Sequence, residues 1–111
     1  MARARIRSFA EFWPFYLSQH RRRLTRRLHF IGTDAAAIAI VTAAVQRKPH
    51  LLLLGLGLVY GFAWVGHFFI EHNRPATFEY PFWSMVADWK MWGLRLTGRL
   101  DTELRRHGIA P

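Results

Sequence analysis

The stretch LLLLGLGLVYGFAWVGHFFI, residues 51–70, decides the fold: twenty consecutive residues carry no charge, His counted as neutral. At about 1.5 Å of helical rise per residue it spans roughly 30 Å, the thickness of a bilayer's hydrocarbon core. A second apolar run, LHFIGTDAAAIAIVTAAV at residues 28–45, precedes it, with Asp34 as its single formal charge. Between them Gln46-Arg-Lys-Pro-His50 forms a short polar turn, and Pro49 is placed to open the next helix. Two apolar helices joined so closely must lie antiparallel. The expected core is therefore a two-helix transmembrane hairpin, 28–45 and 51–72; a hairpin buried in a soluble bundle is the competing reading.

Working outward, residues 1–27 form a basic, amphipathic segment. The bulky groups Phe9, Phe12, Trp13, Tyr16 and Leu17 recur at helical spacing and predict a helix over about 8 to 22. Pro14 is awkward there unless it falls in the first turn. On the other side of the hairpin the chain breaks at Asn73-Arg74-Pro75, because the residue before a proline is pushed out of the helical region. Pro81 opens a further helix, 81–97, whose Trp83, Trp89 and Trp92 suit a membrane interface. The remainder, 101–111, reads as a polar, loosely held tail. The fold class is all-α: a small helical membrane protein of one domain, 1–111, with the hairpin flanked by amphipathic interfacial helices.

Charge and composition pull in opposite directions. The net charge is +9, with 16 Lys and Arg against 7 Asp and Glu, yet 51% of residues are hydrophobic. Their placement resolves the conflict: eight basic residues precede residue 28, two lie in the 46–50 turn, and six follow residue 72. The positive-inside bias then puts both termini in the cytoplasm, in an integral protein of a bacterial inner membrane or an ER-type membrane. Basic flanks of this kind hold a protein to anionic membrane lipids and require no nucleic acid. The absence of cysteine excludes disulfides, zinc–thiolate sites and thiol nucleophiles. No cleavable secretory signal is expected at the N-terminus.

The topology gathers chemistry at one end. His29 begins the first apolar run, while His67 and His72 close the second, so an antiparallel hairpin puts them at one depth. His20 precedes them, and four of the six histidines thus converge on the cytoplasmic mouth. Tyr60, Trp64, His67, Glu71 and Arg74 are spaced 4, 3, 4 and 3 and share one face of the second helix. A polar stripe on a spanning helix should face the protein interior. His67 and Glu71 at i, i+4 are placed to hold one metal ion jointly, or to have Glu71 orient His67. Arg74, one turn on, suits an anionic headgroup or a carboxylate. Gly55, Gly57 and Gly61 read as helix-packing positions.

These residues also form a pattern. Phe12-Trp-Pro-Phe-Tyr16 leads to His20, then to Arg27-Leu-His29-Phe-Ile-Gly-Thr33. Gly61-Phe-Ala-Trp-Val-Gly-His67 follows, with Glu71, Asn73-Arg-Pro-Ala-Thr77, Pro81, Ser84 and Asp88. Over roughly residues 8–100 this strongly resembles the Mpo-like family, a small membrane family long filed as a domain of unknown function. Its yeast member is an iron-dependent dioxygenase of 2-hydroxy fatty acid α-oxidation. The resemblance implies an Fe(II) site that uses O2 to shorten a 2-hydroxy fatty acid by one carbon. It carries the metal-binding role onto His20, His29 and His67, with Glu71 and Arg74 at the family's acidic and basic positions. His72 is the fourth metal candidate and ranks below those three. Zn(II) or Mn(II) would suit the same ligands. His20 and His29 stand half a turn apart on an unbroken helix, so both serve one ion only if the chain bends around Arg21–Arg26. Arg74 or Arg27 would neutralise the substrate carboxylate, and the alkyl tail would run along the apolar helices. A homodimer is expected to complete so small a pocket. The reading from a different class is a non-enzymatic two-helix membrane scaffold or lipid-binding protein.

Overall fold

The computed structural model describes residues 5–111; Arg3, part of the basic N-terminal segment, lies outside them. The described chain is helical throughout and contains no strand. Five α-helices run in order: α1 (Phe9–Ser18), α2 (Arg23–Gln46), α3 (Leu51–Val65), α4 (Pro81–Leu96) and α5 (Leu100–Arg106). A π-helical turn, Gly66–Glu71, extends α3, and a 3-10 turn, Ala76–Phe78, precedes α4. The helices fall into two compact units: His20–Pro75, and the residues up to Gln19 together with Ala76–Pro111.

The first unit is the hairpin. α2 has 24 residues and the α3–π segment, Leu51–Glu71, has 21, both long and apolar enough to cross a membrane. Arg47 ends α2 in the left-handed conformation (φ 54°), which turns the chain back within three residues. The helices meet through small side chains: Gly32, Ala36, Ala39 and Ala43 of α2 are buried, as are Gly55 and Ala63 of α3. Contact at Gly32 is close, since a Cβ there would stand 3.0 Å from the Leu58 carbonyl oxygen and 3.1 Å from the Val59 Cα. Gly55 likewise faces Ala36 and Ala39. Gly57 and Gly61 do not pack: a Cβ at either meets nothing within 4 Å. Of the three glycines read as packing positions, only Gly55 has that role, and Gly32 supplies the other close approach. The large side chains point outward, with Ile38, Val45 and Leu53 exposed by 67%, 77% and 72%.

The second unit is built on aromatic groups. Ser8 caps α1, its Oγ accepting the Glu11 N–H at 3.2 Å. Pro14 lies in the helix interior, beyond the first turn that the sequence favoured for it. A proline there costs roughly 3 kcal/mol, and the buried Phe12, Trp13, Tyr16 and Leu17 of the same helix offset it. Phe12 is fully buried against Tyr80 and Trp83, at 5.5 and 5.9 Å between ring centres. Trp83 stacks on Tyr80 at 5.7 Å, so it turns inward rather than sharing an outer belt with Trp89 and Trp92. The segment expected to be a loose tail is instead packed. Leu100, Leu104 and Ile109 are buried, and α5 carries Asp101 and Glu103 in its first turn and Arg105 and Arg106 in its last. Those charges complement the helix dipole. Gly108 (φ 72°) then closes the helix, with the Ile109 N–H donating to the Leu104 carbonyl at 2.9 Å.

Candidate metal centre at the end of the hairpin

Three histidines come together in the hairpin unit. His20 sits in the turn between Ser18 and Arg23, His29 in the second turn of α2, and His67 in the π-helical turn. All three are buried, with exposures of 1%, 1% and 4%. The chain breaks at residues 19–22, the bend that bringing His20 to His29 requires. His20 is the hub: its ring lies 4.6 Å from that of His67 and 5.4 Å from that of His29, centre to centre. The backbone of the turn is pinned from α2. Arg26, 3% exposed, donates from Nη1 to the carbonyls of His20 at 2.8 Å and Arg21 at 2.7 Å.

The ring separations can be tested against a shared ion. A metal–nitrogen bond of about 2.1 Å puts an imidazole centre roughly 3.2 Å from the metal, and two ligands at 90–109° then have centres about 4.5–5.2 Å apart. The observed 4.6 Å between His20 and His67 falls within that range, and the 5.4 Å between His20 and His29 lies just beyond it. Nε2 of His20 and Nδ1 of His29 are buried and make no hydrogen bond, while both residues make other interactions. Among the described residues no three ligating side chains stand in a finished metal-binding arrangement. The three buried imidazoles are of the donor type that iron takes, and His20 lies close to both of the others.

His67 is oriented by a neighbour the sequence reading did not single out. Its Nδ1 lies 2.7 Å from Asn73 Oδ1. With the amide oxygen as acceptor, Nδ1 carries the proton and Nε2 carries the lone pair, which is the form a metal ligand needs. Asn73 is itself fixed by its N–H, which donates to the His67 carbonyl at 2.9 Å. That fold-back depends on His72, which ends the π turn in the left-handed conformation (φ 57°) with its own N–H on the same carbonyl. The His72 side chain is exposed, and no ring contact joins it to the other three among the described residues. Its observed role is to terminate the helix.

Glu71 is drawn to α2. Its Oε2 accepts the Arg22 N–H at 2.7 Å and the Thr25 hydroxyl at 2.6 Å. Arg22 is the N-cap of α2 and has no side-chain cap of its own. Glu71 therefore fills the capping-box role from 49 residues away, placing a negative charge at the positive end of the helix dipole. This tie locks the end of the α3–π segment to the start of α2, the two elements that carry His67 and His29. Gly66 makes the approach feasible, since a Cβ there would stand 2.9 Å from Thr25 Cγ2. Arg74 lies beyond the helix end and is exposed, as is Arg27 on α2. Thr25 went unremarked in the sequence, and Arg26 and Asn73 were noted without these roles, because their partners are side chains or carbonyls set by the turn. Only their adjacency to His20, His29 and His67 along the chain pointed to them.

A small all-helical protein with a membrane-length hairpin and a buried histidine cluster at one end is the class that fold and site define. The family described as 2-hydroxy-palmitic acid dioxygenase Mpo1-like matches residues 6–100, and the chain belongs to it. Comparison with curated proteins and with solved structures found no match.

Proposed function

We propose that this protein is a membrane-embedded, non-haem iron dioxygenase that shortens 2-hydroxy fatty acids by one carbon. The observation that carries the reading is the buried cluster of His20, His29 and His67 in a chain of this family. These three residues would hold Fe(II), which suits imidazole ligands with open coordination positions and supplies the binding and activation of O2. The reaction balances without a further reductant. A 2-hydroxy acid and O2 give the acid one carbon shorter, CO2 and water; the bond between carbons 1 and 2 breaks and the substrate supplies all four electrons.

The chain's own groups divide the remaining work. Asn73 holds the proton on His67 Nδ1 so that Nε2 is the ligating atom. Glu71 acts by holding the two helices in register, and Arg26 by fixing the His20 turn. The exposed Arg27 and Arg74 attract the carboxylate of a substrate whose alkyl tail lies along the apolar hairpin. With fourteen of the sixteen basic residues flanking the hairpin, both termini and the site belong on the cytoplasmic side.

The test is bound metal. Protein purified anaerobically in detergent and supplied with Fe(II) should hold about one equivalent, the stoichiometry of a single mononuclear site. His67→Ala should lose it. Asn73→Leu should retain the fold and weaken iron binding by about 10–100-fold, the usual effect of removing a hydrogen-bond partner of a ligand. Turnover of a 2-hydroxy fatty acid with release of CO2 then tests the reaction. A wild-type protein that takes up no metal under these conditions overturns the enzyme and favours a scaffold.

A further inference from the structure

α4 has two apolar faces, and only one of them is packed. Ser84, Ala87 and Met91 form its buried face. Taking about 100° per residue and Phe82 as the origin, Met85, Val86, Trp89 and Leu96 all fall within about 60° of it. These residues make a continuous arc on the side away from the buried one. Phe82 is 74% exposed, and Met85, Val86 and Leu96 are exposed as well. A Cβ at Gly93, within the arc, would meet nothing within 4 Å. A helix that is apolar on its outer side requires an apolar neighbour.

Charge says which one. The described part of this unit exposes six arginines, Arg5, Arg7, Arg95, Arg99, Arg105 and Arg106, against three exposed acids, Glu11, Glu79 and Asp101. Lys90, at the border of the arc, folds its ammonium back over the Trp13 ring at 4.2 Å, leaving the arc uncharged. An apolar helical face with aromatic groups, on a unit whose exposed charge is mainly basic, fits the headgroup boundary of an anionic bilayer. We infer that α4 lies in the membrane plane, its Phe82–Val86–Leu96 face sunk into an anionic phospholipid leaflet. This docking is a property of the second unit by itself and does not depend on the histidine site holding metal.

The chain has no cysteine, so single cysteines can be introduced and spin-labelled without background. The full-length protein would be reconstituted into vesicles of phosphatidylcholine and phosphatidylglycerol. Labels at 82, 86, 89 and 96 should collide several-fold more with oxygen than with a water-soluble nickel chelate. Labels at 95 and 99 should show the reverse. These positions are at least partly exposed, and circular dichroism of each labelled protein would confirm the fold. Oxygen preference along the arc should fall when phosphatidylglycerol is omitted, and no change would remove the anionic part of the inference. Arc positions as open to nickel as 95 and 99 would place the face in water and overturn it. Positions shielded from both reagents would assign the face to a protein contact, which also overturns it.

Discussion

In the hairpin unit the buried positions include Gly32, Ala36, Ala39, Gly55 and Ala63, together with Thr33 and the three histidines, while isoleucines, leucines and valines face outward. In the other unit the large buried side chains include Phe12, Trp13, Tyr16, Leu17, Tyr80, Met91 and Leu104, beside the smaller Ala76, Ser84 and Ala87. One region hides mainly small and polar groups and shows large apolar ones; the other buries mainly large apolar ones, with Phe78 and the α4 arc left exposed. In water, burial of large apolar side chains drives packing. In lipid that drive between helices vanishes, and close backbone approach through small residues takes its place. The contrast accords with the two hairpin helices being long and apolar enough to cross a membrane. It also explains how histidines come to be buried without a large core around them, since the hairpin interior is where polar groups escape lipid.

The comparison can be broken from either side. The largest effect is expected at Phe12, where Phe12→Ala should cost about 3–5 kcal/mol, the range for emptying a packed aromatic site. Loss of near-ultraviolet dichroism together with faster proteolysis of α1 and α5 would record it. Next is Ile38, 67% exposed on α2. On a helix in water Ile38→Arg should be neutral to within about 0.5 kcal/mol. In a bilayer it should cost about 2.5–3.5 kcal/mol, near the value for arginine at the centre of a spanning helix. An insertion assay with a glycosylation reporter separates the two, and unchanged insertion would sink the lipid-facing reading.

Smaller effects sharpen the contrast. Gly32→Ala should destabilise the hairpin by about 1–3 kcal/mol, because the new methyl meets backbone that cannot yield. Gly57→Ala and Gly61→Ala enter open space and should be neutral or favourable by up to about 1 kcal/mol. Thermal unfolding in detergent compares them, and three equal effects would refute the packing assigned here.

A pH slope is also expected in the second unit. Burial pushes the Asp88 carboxyl up from 3.8 to about 7, opposed in part by the Tyr16 hydroxyl, which donates to Asp88 Oδ1 at 2.6 Å. The same burial, with the Asp88 carboxylate beside it, holds the Tyr16 hydroxyl well above its ordinary range. From about pH 3.8 to 7 the unfolded chain ionises Asp88 while the folded chain keeps its proton. The folded state then binds more protons, so stability falls as pH rises through that window and levels off above it. Asp88→Asn should flatten this slope. An unfolding midpoint with the same pH dependence in both proteins would show that Asp88 is not its source.

Much of this was legible in order along the chain. The uncharged run at 51–70, the short turn at 46–50 and the break at 73–75 needed only local chemistry, and they put His29 and His67 at one depth. The family matches residues 6–100, a span that contains all of these segments. Pro14 and the 101–111 segment were misjudged, because a local penalty or a local excess of polar residues says nothing about what Phe12, Leu104 and Ile109 will pack against.

Sequence by itself therefore determined the spans of α4 and of the second hairpin helix, the antiparallel hairpin and which residue types could bind metal, but neither α5 nor where α1 ends and α2 begins. Periodicity and charge are properties of neighbours along the chain, and they read directly. Tertiary structure decided the partners: Asn73 on His67, Arg26 on the His20 turn, and Glu71 as the cap of a helix that begins 48 residues earlier. It also decided which glycines touch and which face of α4 is left bare. Those depend on the meeting of surfaces distant in sequence, where a difference of one residue per turn, as at Gly66–Glu71, changes what each side chain finds.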